Sequence, residues 1–334
     1  MNDKSTTLEQ VAREAGVSPS TVSRILNGTA GVKDAKREAV ERAISKLNYQ
    51  PNKAAQALAS GRSMTIGVLT QNIASPFYGE CLEGIENGLS DTGYTPIFAN
   101  GHWDANEEAH RIALLASRQV DGLIILTGSV TDGALIEQAR RLPIVVTGRQ
   151  LNAPNIKSFW LNDRAAARHA TEHLIGLGHR QIAHIAGAQH HPDSHARLAG
   201  YREALSFTGI ELDERLVARG DYSEGSGVIA VNQLLADRVP FTAIFAANDQ
   251  MAYGARLALY QHGIRVPEDI SLVGFDDLQN SIYTTPPLTT VRQPTFEIGV
   301  AAAATLVNML GGQVPEPPEF GLELIVRDST RRLR

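Results

Sequence analysis

The chain has 334 residues, 43% of them hydrophobic and 20% charged, which supports packed cores in two or three domains. Its formal net charge of −5 excludes a protein coated in positive charge, yet residues 1–60 hold nine Lys/Arg against six Asp/Glu and the remainder 22 against 30. A basic head on an acidic body points the head, not the body, at a polyanion. Cys81 is the only cysteine, so no intramolecular disulfide can form, which fits a reducing cytoplasm. The N-terminal MNDKSTTLEQ lacks an apolar signal core, and no stretch approaches the ~20 apolar residues of a membrane span. A cytoplasmic protein without a membrane partner is expected.

Thr7-Leu8-Glu9-Gln10 predicts a capping box, with Leu8, Val11, Ala12 and Ala15 on one apolar face of the helix that follows. Gly16-Val17-Ser18 interrupts that helix. Ser18 can cap a second one, with Pro19 at its first position, Val22, Ile25 and Leu26 facing inward, and Asn27-Gly28 as the stop. A third helix carries Val40, Ala43, Ile44 and Leu47. Helix, glycine-containing turn, helix is the helix-turn-helix arrangement, whose second helix enters the major groove of DNA. The outward positions of that helix are Pro19, Ser20, Thr21, Ser23 and Arg24. Short hydroxyls suit phosphates and base edges, and Arg24 can pair bidentately with guanine. A plain three-helix bundle with a solvated polar face would give the same helical pattern.

The segment from Asn48 to Gly61 allows a helix that starts at Pro51 and ends at Gly61, shorter than the ~12–15 residues an isolated helix needs. Such a segment is expected to fold on a partner. Leu58 then has two readings: a residue packing a linker onto the body, or an apolar wedge for a minor-groove base step. TLEQVAREAGVSPSTVSRILNG, followed by NYQPNKAAQALASGRSMTIGVL, resembles the head and hinge of the lactose/galactose repressor (LacI/GalR) family at nearly every position of a 60-residue segment. The resemblance implies a DNA interface at Thr7, Ser18, Pro19, Ser20, Thr21, Ser23, Arg24, Asn27, Tyr49, Asn52, Lys53, Ala55 and Leu58. Within it, Pro19, Ser20 and Arg24 would lie in the major groove. Ala55 would lie in the hinge helix, and Leu58 would lever open the central minor-groove step with a second copy from a partner subunit. Pro19 replaces the larger side chain some members carry there and cannot hydrogen-bond a base through its side chain.

From residue 62 onward short apolar runs alternate with helical stretches. Strands are predicted at Thr65–Thr70, Thr95–Ala99, Gly122–Leu126, Ile144–Thr147 and Phe159–Leu161, then at Gln181–Ala186, Val217–Arg219, Ala243–Ala246 and Ser271–Gly274, with a helix such as Gly79–Asp91 between neighbours. The fold class is therefore α/β: doubly wound parallel sheets in two similar lobes. Ligands of such sheets sit beyond the carboxyl ends of the strands.

The residues just after each strand are accordingly the site candidates. Ser75-Pro76-Phe77-Tyr78 is either a turn seating two aromatics in the core or a stacking floor for a sugar ring. Asp163 caps a helix or enters the cleft. Asn248 is expected in the cleft and Asp249 as the cap of the next helix. Asp276 or Asp277 could be a turn residue, and Arg197 could be a surface salt bridge. Together they offer carboxylates, a carboxamide, a guanidinium and aromatic faces, a set suited to many hydroxyls on an apolar platform.

The resemblance continues through ASPFYGE, RQVDGLIIL, LIGLGHRQIAHIAG, RLAGYREAL, AIFAANDQMAYGA, ISLVGFDDL and PPLTTVRQP, covering almost the whole chain. It implies a periplasmic-binding-protein-like body with Phe77 and Tyr78 lining the cleft and Asp163, Arg197, Asn248 and Asp276 as polar contacts. Tyr222 matches a position that closes over the ligand, and His191 and Asp193 match a variable pocket loop. The domains expected are a head at 1–50, a hinge at 51–62, and a ligand-binding and dimerisation body at 63–334. The body's lobes would be 63–162 plus about 292–325, and 163–291.

The histidine-rich HHPDSH fits no zinc spacing and reads as a solvated loop, so neither metal nor cofactor is expected. Three functions compete. A ligand-switched repressor would act as a homodimer on a pseudo-palindromic DNA operator, with a sugar or glycoside as effector. A transport module would bind sugar without DNA. An enzyme would need a glycine-rich phosphate loop, a nucleophile elbow or a catalytic pair, and the chain shows none. The terminal RDSTRRLR lacks the leucine heptads of a tetramerising coiled coil, which favours a dimer.

Overall fold

The structure, a computed structural model, describes residues 6–26, 33–49 and 61–333. The chain divides into two compact units, Met1–Ser63 and Met64–Arg334. Of the residues expected at DNA, Asn27, Asn52, Lys53, Ala55 and Leu58 lie outside the described residues.

The smaller unit contains α1 (Leu8–Glu14), α2 (Pro19–Leu26) and α3 (Asp34–Lys46). The capping box is present: the Thr7 hydroxyl accepts from the Gln10 N–H at 3.3 Å and the Gln10 side chain accepts from the Thr7 N–H at 2.7 Å. Gly16 takes φ +66 in the turn, a left-handed conformation that glycine adopts without a Cβ penalty. Ser18 Oγ accepts from the Thr21 N–H at 3.3 Å, and Pro19 occupies the first helical position. Val11, Ala12, Val22, Val40 and Ala43 form the core of this unit. Tyr49, expected at the DNA interface, packs its ring into that core at 8% exposure.

The larger unit is built on two sheets. The first contains β1 (Thr65–Thr70), β2 (Thr95–Asn100), β3 (Gly122–Leu126), β4 (Ile144–Thr147) and β5 (Ile156–Phe159), in the order β2-β1-β3-β4-β5, all parallel. Its helices are α4 (Pro76–Leu89), α5 (Ala105–Ser117) and α6 (Asp132–Ala139). The second contains β6 (Ile182–Ala186), β7 (Val217–Arg219), β8 (Ala243–Ala246), β9 (Ser271–Asp276), β10 (Thr289–Arg292) and β11 (Glu323–Ile325), in the order β11-β10-β9-β8-β6-β7. Only β11 runs antiparallel to its neighbour. Its helices are α7 (Asp163–Gly176), α8 (Pro192–Phe207), α9 (Glu224–Ala236) and α10 (Asp249–Gln261).

The chain then returns to the first sheet as α11 (Thr295–Leu310), whose Ala302, Ala303 and Leu306 pack with Ile66, Ile85 and Ile124. This close approach requires glycine: a Cβ on Gly84 would overlap the Phe296 backbone, and one on Gly299 would overlap that of Cys81. Because β11 pairs with β10, the segment of the first lobe supplied from the C-terminal end stops short of residue 325.

Smaller differences from expectation have local causes. The fifth strand is Ile156–Phe159, and Leu161 lies on the crossing into the second lobe. Helix α4 starts at Pro76, since proline fits the first turn, where its missing N–H is not needed. Strand β9 extends through Asp276, which pairs with Arg292.

Candidate functional site

The carboxyl ends of the strands of both sheets face one cleft. Its centre is Arg197, in the second turn of α8, at 4% exposure. Arg197 Nε and Nη2 each lie 2.8 Å from Asp163 Oδ1, and Nη1 donates to the Ala247 carbonyl at 2.6 Å. Asp276 and Asp193 stand farther away, at 3.8 and 3.9 Å, and the guanidinium lies 3.8 Å over the ring of Phe275. The surface salt bridge weighed for Arg197 is excluded by this burial. Burial pushes the pKa of Asp163 up against the pull of Arg197, and pushes that of Asp276 well up against the same guanidinium. Gln293 Nε2 donates to Asp276 Oδ1 at 2.7 Å.

Asp163 does not cap α7; Asn162 does, accepting from the Ala165 N–H at 3.1 Å, which frees Asp163 for Arg197. Asn248 lines the cleft as expected, but it also takes the capping role expected of Asp249. Asn248 caps α10, accepting from the Met251 N–H at 2.9 Å, while its amide donates to the Tyr222 carbonyl at 3.1 Å. Asp249 is fully buried beneath it and accepts from Thr290 and Ser281 hydroxyls at 2.5 Å each and from the Leu278 N–H at 2.9 Å.

The aromatic floor is present: Phe77 and Tyr78 sit edge to face at 5.2 Å, in the core and against the cleft at once. Burial raises the Tyr78 and Tyr222 pKa values well above the ordinary value, with Asp193 adding to both, so both hydroxyls remain neutral. HHPDSH is solvated only in part: His190, Pro192 and His195 are exposed, whereas His191 and Ser194 are buried. His191 occupies the N-cap position of α8, is 6% exposed, and stacks on Trp103 at 3.5 Å and on Tyr222 at 5.4 Å between centroids. Among the described residues no group of three or more His, Cys, Asp and Glu could hold a metal.

Sequence reasoning missed Trp103 and Gln293. The signal for Trp103 was its place just after β2, in a segment whose strand is largely exposed and gave little apolar contrast. Four non-glycine residues lining the cleft hold positive φ: Trp103 at +58, Thr127 at +36, Tyr222 at +72 and Asp276 at +121. Non-glycine residues in such conformations persist where surrounding contacts fix them, often at ligand sites.

The cleft encloses a cavity of about 370 Å³ and an inner compartment of about 80 Å³ that share Phe77, Tyr78, Asp193, Arg197 and Gln293. A larger groove, about 840 Å³, lies between α8 and β7. Arg202 there is paired with Glu214 and Glu203 with Arg164, and only Arg219 adds a further charge, so the smaller cleft with converging polar groups is the better site.

In the smaller unit, Thr7, Ser18, Pro19, Ser20 and Arg24 are exposed and Thr21 and Ser23 half-buried. Ser18 Oγ lies 2.9 Å from both Ser20 Oγ and Thr21 Oγ1, which gathers the hydroxyls at the start of α2.

A helix-turn-helix unit joined to a two-sheet body with a polar interlobe cleft defines a ligand-responsive DNA-binding regulator. Residues 7–52 match the family described as bacterial regulatory proteins, lacI family, and residues 171–330 match a periplasmic binding protein-like domain. The HTH-type transcriptional regulator CelR of Thermobifida fusca is 41% identical over 336 residues, spanning 97% of this chain and 98% of CelR. A structure of the Lac repressor dimer bound to operator and the anti-inducer ONPF superposes with a TM-score of 0.87 at 32% identity, covering 98% of this chain and 100% of that one. A CelR–cellobiose complex superposes at 0.71 with 38% identity, covering 97% and 99%. The chain belongs to the lacI family of bacterial regulatory proteins and is a DNA-binding transcriptional regulator. No described helix is long and apolar enough to cross a membrane.

Proposed function

We propose that this regulator is a cytoplasmic homodimeric repressor without enzymatic activity, whose grip on a pseudo-palindromic operator is set by a sugar or glycoside in the interlobe cleft. The observation that carries the reading is Arg197: a buried guanidinium held among Asp163, Asp193 and Asp276 beside an aromatic floor. Such groups hydrogen-bond adjacent hydroxyls bidentately while the rings cover the apolar face of a sugar. The cellobiose in the CelR complex supports a sugar of this kind. In the smaller unit, Arg24 and the hydroxyls of α2 are assigned to base edges and phosphates. Leu58, outside the described residues, is assigned to a minor-groove step on the family resemblance.

The test is operator binding by fluorescence anisotropy, with and without each member of a sugar panel, at fixed salt. One sugar should change the operator affinity at least tenfold. An operator affinity indifferent to every sugar, or no preference for any sequence in any ligand state, would overturn the reading.

A further inference from the structure

The three stacked rings of the cleft belong to two lobes and are held unequally. Trp103, from the first lobe, is fixed by its backbone: its N–H donates to Gln71 Oε1 at 2.9 Å and its carbonyl accepts from Ser129 Oγ at 3.2 Å. Gln71 is itself fully buried, and its amide donates to the Thr127 carbonyl at 2.7 Å. The adjoining turn is closed by Glu108, which accepts from the Ser129 and Val130 N–H groups at 2.8–2.9 Å. Tyr222, from the second lobe, is fixed by the Asn248 amide on its carbonyl and by its ring tip lying against Gly187, where any Cβ would collide with it.

His191, the middle ring, has no comparable support. Its side chain makes no capping hydrogen bond to α8, and its buried Nδ1 has no hydrogen-bond partner. The Tyr222 hydroxyl beside it is likewise buried without a partner. The imidazole lies at 3.5 Å and 24° to Trp103 and at 5.4 Å and 20° to Tyr222, so it separates the two outer rings and both turn a face towards it. It fills the space between them by stacking alone, leaving polar atoms unsatisfied, which is a poor use of a buried site.

We propose that the slot between Trp103 and Tyr222 is the seat of the effector's second ring, and that His191 is a built-in occupant which that ring displaces. A sugar ring offers an apolar face to each wall and equatorial hydroxyls to the Tyr222 hydroxyl. The first ring then lies at the Arg197 cluster, and the two cavity compartments, which meet at Tyr78 and Arg197, match two linked rings. The effector class is therefore a disaccharide or an aryl glycoside rather than a monosaccharide. This inference rests on the sugar reading of the cleft and adds Trp103 and His191 as its specificity-determining residues.

The test is isothermal titration calorimetry on the full chain with cellobiose, lactose, maltose, sucrose and p-nitrophenyl glucoside, and with glucose as the one-ring control. The unchanged protein should bind one of the two-ring compounds at least tenfold more tightly than glucose. Trp103→Ala should weaken that two-ring compound at least tenfold, and at least fivefold more than it weakens glucose, while Trp103→Phe, which keeps a stacking face, should restore most of the loss. His191→Ala should strengthen two-ring binding several-fold by removing the competitor. Weaker two-ring binding by His191→Ala, equal losses for one and two rings in Trp103→Ala, or glucose bound as tightly as every two-ring compound, would overturn the slot while leaving the sugar reading intact. Failure of all the sugars to bind the unchanged protein would overturn both.

Discussion

Replacing Arg197 by alanine tests the electrostatics of the cleft directly. The guanidinium makes two 2.8 Å contacts to Asp163 and one 2.6 Å hydrogen bond to the Ala247 carbonyl, and stands 3.8 Å from Asp276. Removing it leaves Asp163 and Asp276 without their counter-charge, although Asp276 keeps the bond from Gln293, and leaves the Ala247 carbonyl without this donor. Breaking a buried ion pair by deleting one partner costs about 3–5 kcal/mol, and the lost contact with the Phe275 ring falls within that range rather than adding to it. The carboxylates have one escape, which is to bind protons, and burial already pushes both in that direction. A carboxyl whose folded pKa is raised contributes stability that is present at low pH and lost as pH rises through the folded value. The penalty of Arg197→Ala should therefore be largest near pH 8 and shrink towards pH 5. Urea unfolding followed by tryptophan fluorescence reads this out, since Trp103 and Trp160, the two tryptophans, both lie in the larger unit. Adding Asp163→Asn to Arg197→Ala should recover about half of the loss near pH 8. A penalty below about 1 kcal/mol, or one independent of pH, would show that Asp163 and Asp276 are not held as a buried charge cluster.

His184 is fully buried, donates from Nδ1–H to the Phe245 carbonyl at 2.9 Å, and has its pKa pushed down to about 4 by burial. A histidine with a depressed folded pKa stabilises the fold above its ordinary value near 6.5, and that contribution, about 3 kcal/mol, is lost as pH falls towards 4. Urea midpoints should fall more steeply between pH 7 and 4 in the parent than in His184→Gln, and equal slopes would count against it. Gly84→Ala should destabilise the larger unit by about 2–3 kcal/mol, because the new methyl meets the Phe296 backbone of α11; an unchanged thermal midpoint would mean that the two helices can separate freely. Arg24→Ala should cost operator binding about 1–3 kcal/mol and relax the preference at one base pair, as read by anisotropy on single-base operator variants. A uniform loss at every base would assign Arg24 to phosphate instead.

What could be read in advance was what local chemistry encodes. Thr7, Gly16 and Pro19 announce helix ends through hydrogen bonding and dihedral preference, and the head followed from them. The strands were visible because parallel strands covered on both faces are short unbroken apolar runs, such as Gly122–Leu126. That Asn248 rather than Asp249 caps α10 was not legible, because both types cap helices equally well. Contacts with Thr290, Ser281 and Leu278, far along the chain, hold Asp249 in the core instead. Trp103 escaped notice because its position depends on Gln71 and Ser129, 32 residues before it and 26 after it. That the ring of Tyr49 completes the head's core was equally hidden, since it depends on α1, α2 and α3 packing together. Strand β11 pairs with β10 across more than 30 residues and a whole helix, a return that no local pattern marks.

Apart from the His191 Nδ1 and the Tyr222 hydroxyl, the main polar groups of the cleft have partners within the protein, and that constrains how an effector can act. Arg197 is paired with Asp163, Asp276 is bonded to Gln293, and the gap between Trp103 and Tyr222 is filled by His191. A ligand entering such a site replaces contacts rather than adding them, so its net binding energy is the difference between two nearly complete sets. The contacts it replaces include some that hold the lobes to each other: Trp103 stacks on His191 across the cleft, and Ser75 Oγ reaches Gln250 at 3.4 Å. A ligand shifts a conformational balance only by its difference in affinity for the two states, and about 10⁴-fold is needed to invert a 1:99 equilibrium. Interlobe contacts that differ between empty and occupied clefts are where that difference can arise, whereas contacts inside one lobe contribute equally to both states. On the proposed reading, substitutions at Trp103 and His191 should therefore change the size of the operator response, and substitutions at Arg197 should change chiefly the effector concentration at which it occurs.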